Sequence, residues 1–124
     1  AERLAPELEI KLMGTGFLEP DDPEAMQQAC QGAREALREA REALQAGEYD
    51  LVILDEVLFA ISSGLLSDDE VLEAIRSRKA GVHIALTGHS VPSDLAEVAD
   101  TITEFKSVKH AFQTGTKATR GVEF

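Results

Sequence analysis

Apolar positions along the chain repeat at two different periods, and the changes of period mark the elements. Residues 8–13, Leu-Glu-Ile-Lys-Leu-Met, alternate and predict a short strand, which Gly14-Thr15-Gly16 breaks. Asp22 is placed to cap a helix with Pro23 at its first position. Met26, Ala29, Cys30, Ala33, Leu37, Ala40 and Leu44 recur at helical spacing, so the helix runs to about Ala46 and stops at Gly47. Glu and Arg fill its other face and read as a solvated surface. Next comes Tyr49-Asp50-Leu51-Val52-Ile53-Leu54-Asp55-Glu56, whose unbroken aliphatic run predicts a strand buried on both faces, as in a parallel sheet. Ser67 and Glu70 form a capping box ahead of a helix with Val71, Leu72, Ala74 and Ile75 facing inward. Arg76, Arg78 and Lys79 suit that helix's C-terminus, and Gly81 ends it. Residues 82–87 predict a second buried strand, Ser93 starts a short helix to about Val98, and residues 101–105 predict a last strand. Strands alternating with helices predict an α/β fold, a mostly parallel sheet flanked by helices, in one domain spanning residues 1–124.

Composition narrows the classes. The chain has 124 residues, 44% hydrophobic and 28% charged, enough for a real core. The net charge of −11 argues against general nucleic-acid binding, which needs phosphate neutralisation. The charge is uneven: residues 106–120 contain no acid but hold Lys106, Lys109, Lys117 and Arg120. Such a segment can receive an anion or simply be a solvated tail. No apolar stretch approaches the roughly 20 residues of a membrane span. The N-terminus has no secretory pattern and Cys30 is alone, so a cytoplasmic location without an internal disulfide is expected.

The candidate chemistry gathers where strands end, because ligands of open α/β sheets sit at the carboxyl edge. Asp55 and Glu56 follow the 51–54 strand and can bind Mg²⁺ there, or else cap the next segment or face water. Gly14-Thr15-Gly16-Phe17 also follows a strand, as either a ligand loop or a plain turn. Thr87-Gly88-His89-Ser90 follows the 82–87 strand and so falls at the same sheet edge as Asp55. His89 is either a donor to a polar ligand or a solvent-facing loop residue. His83 reads as structural, and His110 stands beside Lys109 in the acid-free segment. No histidines pair at usual metal-ligand spacing. Two acids after a buried strand look like the second nucleotide motif of P-loop proteins, whose carboxylate holds Mg²⁺ on a triphosphate. The first motif, G-x-x-x-x-G-K-[ST], does not occur in these residues.

Together these segments resemble the ATP-dependent corrinoid adenosyltransferases, which act on cob(I)yrinic acid a,c-diamide and cob(I)alamin. The matching stretches are Met13-Gly14-Thr15-Gly16-Phe17, the 49–56 strand with its acids, Leu86-Thr87-Gly88, Ala99-Asp100-Thr101-Ile102-Thr103-Glu104, Val108-Lys109-His110-Ala111-Phe112, and the closing Arg120-Gly121-Val122-Glu123-Phe124. The resemblance implies a P-loop NTPase-like α/β fold. It implies transfer of the 5′-deoxyadenosyl group of ATP to Co(I) of a corrinoid in cobalamin biosynthesis, with Mg²⁺ held by Glu56 and Asp55. It places Phe17 against the corrin, with Gly16 beside it among the cofactor-binding residues, and closes the segment with Lys109 and His110 over the site. Glu19 stands where the family pattern has Trp, and His89 stands where it usually has Arg after Thr-Gly.

The family also begins with a glycine-rich P-loop and a further strand, so the resemblance covers only its C-terminal portion. The expectation is therefore a polypeptide without the P-loop strand, weak or inactive by itself as an enzyme. Exposed apolar edges should make it a homo-oligomer. The alternative is a non-catalytic module of the same descent that binds a corrinoid or a partner chain.

Overall fold

A computed structural model describes residues 5, 7–13 and 22–108. The element order is α1 (Pro23–Ala46), β1 (Leu51–Leu54), α2 (Val57–Ser62), α3 (Asp68–Arg76), β2 (His83–Leu86) and α4 (Ser93–Val98). This is an α/β arrangement. Strands β1 and β2 pair in parallel, with Leu51 opposite His83 and Leu54 opposite Leu86. A parallel pair requires a crossover, which α2 and α3 supply.

Local chemistry sets the helix ends. The Asp22 carboxylate accepts from the N–H groups of Glu24 (2.9 Å) and Ala25 (3.3 Å), and Pro23 occupies the first turn, where its missing donor is harmless. Gly47 ends α1 in the left-handed region at φ 67°. Lys79 completes that end from across the fold: its N–H donates to the Leu44 carbonyl (2.9 Å) and its Nζ to the Ala46 carbonyl (3.4 Å). Lys79 thus serves the C-terminus of α1 rather than that of α3. The capping box at α3 is complete, with Ser67 Oγ accepting from the Glu70 N–H and the Glu70 carboxylate accepting from the Ser67 N–H.

The core lies between the helices and one face of the sheet. Val57, Leu58, Val71, Leu72, Ile75 and Leu95 are its buried centre, and Ala33, Leu37, Leu54, Ile84 and Leu86 pack against it. Helix α1 packs on α3 and β1, as its alanine-rich stripe permits. Arg34–Glu70 (3.1 Å) and Arg41–Glu73 (3.0 Å) bridge the two helices at the rim.

Some expected features differ. Strand β1 is not buried on both faces: Leu51 is 51% and Ile53 58% exposed, while Val52 and Leu54 turn inward. The helices cover one face, and no described element covers the other. Residues 8–13 and 101–105 join no ladder. In the first segment the polar positions hold the chain, with Lys11 bonded to Glu39 (3.4 Å) and Glu9 to the Tyr49 hydroxyl, while Leu12 is 98% exposed. Alternation there marks two distinct faces, but the described residues provide no neighbouring strand. Residues 101–105 are exposed throughout, Phe105 by 93%. Cys30, on the apolar stripe of α1, is half-buried. Helix α2 was not anticipated, because its six residues are too few to display a period.

Candidate functional site at the carboxyl edge of the sheet

Strand β1 ends at Leu54, and the chain must turn at once into α2. Glu56 makes that turn in the left-handed conformation, φ 56° and ψ 19°, the one described non-glycine residue to do so. For a residue with a Cβ this conformation is disfavoured and needs support from its surroundings.

The support comes from Thr87, immediately after β2. Its N–H donates to the Leu54 carbonyl (3.2 Å), and its carbonyl accepts from the Leu58 N–H (3.2 Å). Its hydroxyl accepts from the Glu56 N–H (2.8 Å) and donates to Asp55 Oδ1 (2.6 Å). One hydroxyl therefore satisfies the backbone of one acid and orients the carboxylate of the other.

Gly88 follows at φ 147°, against the first turn of α2. A Cβ at this position would lie 2.6 Å from Leu58 Cβ and 3.1 Å from the Phe59 nitrogen. Only glycine lets the loop approach α2 this closely.

Both carboxylates face solvent. Among the described residues the Glu56 carboxylate has no hydrogen bond or ion pair, so it occupies the N-cap position of α2 without capping it. Asp55 has one oxygen on Thr87 and the other unpartnered among the described residues. His89 is exposed on the same loop, one residue beyond Gly88. The structure thus brings Asp55, Glu56, Gly88 and His89 to one edge, as their positions after parallel strands require. Gly16, Phe17, Glu19, Lys109 and His110 lie outside the described residues. Among the described residues no cluster of three or more His, Cys, Asp or Glu side chains converges on a metal position.

Thr87 is a site residue that its local sequence does not single out. Its signal was only its place, a hydroxyl residue directly after a strand parallel to β1.

An acidic turn at the carboxyl end of a parallel strand, pinned by a loop from the adjacent strand, defines an α/β protein with its polar groups offered at one sheet edge. Comparison with known proteins takes this further. The chain belongs to the family described as ATP:corrinoid adenosyltransferase BtuR/CobO/CobP, whose model matches residues 1–124. It is 39% identical over 123 residues to a corrinoid adenosyltransferase of Pseudomonas aeruginosa, covering 98% of this chain and 59% of that one. It is 33% identical over 118 residues to one from Escherichia coli, covering 94% and 59%. The corrinoid adenosyltransferase CobA of Salmonella typhimurium is 31% identical over 118 residues, again 94% and 59%. The chain therefore spans 59% of the length of these curated relatives.

Proposed function

We propose that residues 1–124 are the C-terminal α/β part of a P-loop NTPase-like adenosyltransferase of cobalamin biosynthesis. In the reaction Co(I) of a reduced corrinoid attacks C5′ of ATP. A Co–C bond forms, the C5′–O bond breaks, and triphosphate leaves with the bonding pair. Cobalt is itself the nucleophile, so the protein's work is positioning and charge neutralisation. The observation that carries this reading is the Asp55–Glu56 turn, held open to solvent in a chain that matches the family along its whole length.

The donor set suits Mg²⁺. It consists of oxygen atoms only, from two adjacent carboxylates, and such an ion keeps several waters and takes substrate phosphate oxygens as its remaining ligands. Glu56, with Asp55, would hold it, and it would neutralise triphosphate charge when bound. Gly88 allows the close packing of the loop, and His89 lies within that loop as a donor toward ligand. The family implies roles for residues beyond the described ones: Phe17 against the corrin, Gly16 beside it as a cofactor-binding glycine, and Lys109 and His110 over the site. Glu19 stands in the sequence where the family pattern has Trp, a position the family implies for the corrin wall.

These residues contain no G-x-x-x-x-G-K-[ST] loop. We therefore propose that activity requires a phosphate loop from sequence outside them. The test is adenosylcobalamin formation from MgATP and cob(I)alamin, for residues 1–124 alone and for a chain extended along its natural reading frame. The short chain should be inactive and the extended one active, with Glu56→Gln about tenfold or more slower. Turnover by residues 1–124 alone would refute the requirement. A second reading, a corrinoid-binding module without transfer, is favoured by Glu19 and His89 at positions where ligand contacts are expected. It predicts tight corrinoid binding that ATP does not alter.

A further inference from the structure

We infer that Thr87 is a positioning residue for the acidic turn, acting on ligand only through Asp55 and Glu56. The inference rests on the reading of those acids given above.

The Thr87 hydroxyl is spent on both acids at once. By accepting from the Glu56 N–H at 2.8 Å it fixes the left-handed backbone at Glu56, whose exposed side chain makes no cap bond to α2. By donating to Asp55 Oδ1 at 2.6 Å it holds that carboxylate by one oxygen and leaves Oδ2 without a partner among the described residues. An O–H···O⁻ bond of that length is among the stronger hydrogen bonds.

The Thr87 main chain is itself clamped at both its N–H and its carbonyl, to Leu54 and Leu58. The hydroxyl therefore cannot follow a wandering Asp55 and instead imposes its position. A hydrogen bond to one oxygen of a carboxylate also selects how that carboxylate meets a cation. Oδ1 already has a donor, while Oδ2 has no partner among the described residues and would be the oxygen left for a cation.

Two carboxylates whose geometry is set in advance lose less freedom on binding. Removing a group that orients a metal-binding carboxylate lowers metal affinity by about 10–100-fold in general.

The test uses the full natural protein without ATP, which would itself bind the ion, and Mn²⁺ as the probe, read from the loss of the free-ion EPR signal. Asp55→Asn tests the acidic-turn reading, and Thr87 variants test this inference. Thr87→Val, which keeps the shape and loses the hydroxyl, should weaken Mn²⁺ binding about tenfold. Thr87→Ser should restore it. In an Asp55→Asn background the same Thr87→Val change should add less than about a twofold loss, because interacting groups are non-additive. A merely structural role predicts the same loss in both backgrounds, without rescue by serine.

If Asp55→Asn weakens binding and Thr87→Val does not, the inference about Thr87 fails while the acidic turn stands. If Asp55→Asn binds Mn²⁺ as the parent does, the acidic-turn reading fails and takes this inference with it. Should Thr87→Val not fold, Thr87→Cys replaces it, since a thiol is only a weak donor and acceptor.

Discussion

At Glu56, backbone strain and exposure meet in one residue. Its side chain has no hydrogen-bond or ion-pair partner among the described residues, yet its backbone is left-handed. That conformation costs a residue with a Cβ about 1–2 kcal/mol. Glycine would remove the strain but lose about 0.5–1 kcal/mol of its own through chain entropy. Glu56→Gly should therefore leave the protein about 0.5–1 kcal/mol more stable to urea while it loses divalent-cation binding. A destabilised variant would mean that the surroundings remove the strain. Gly88 is the counterpart, a position where the neighbouring α2 backbone leaves no room for a side chain.

At the scale of elements, the helix ends were readable because they depend on neighbouring residues. Asp22, Gly47, Ser67 and Glu70 each act within a few positions of their own place in the chain. The Glu70 carboxyl is held below its usual range, first by the backbone N–H of Ser67 and further by the Ser67 hydroxyl and Arg34. A depressed folded-state value contributes stability above the ordinary glutamate range, lost as pH falls through the lowered value. Ser67→Ala should cost about 1 kcal/mol at neutral pH. It should also shrink the loss of stability on acidification. Urea midpoints measured at neutral and acidic pH check both, and an unchanged acid dependence would mean that the Ser67 backbone N–H, which the alanine variant keeps, and not the hydroxyl, holds the Glu70 carboxyl down. Helix α2 was not readable: it exists because Glu56 turns the chain and because Val57 and Leu58 reach the core.

At the scale of the molecule, the open sheet face dominates. Leu51 and Ile53 are exposed beside a parallel pair of only two described strands, and isolated two-stranded sheets are marginal. Residues 1–124 by themselves should therefore self-associate through apolar surface. The net charge of −11 opposes this, so association should strengthen as salt screens the repulsion. Sedimentation should show a weight-average mass above the 13.4 kDa of one chain, rising with concentration and with salt. A monomer at every concentration and salt level would sink the expectation.

By itself the sequence determined the α/β class, the parallel run of residues 51–54, both ends of α1, the start of α3 and the acids at the carboxyl edge. Each follows from local propensity or from a short period, which neighbouring residues establish together. Tertiary structure decided the rest. Whether an alternating segment becomes a strand depends on a partner distant in sequence, and residues 8–13 and 101–105 have none among the described residues. Whether an aliphatic run is covered on both faces depends on which elements pack there. The clamp at the acids joins Thr87 to Asp55 and Glu56 across the crossover, and no local pattern encodes it, because only the pairing of β1 with β2 brings those residues together.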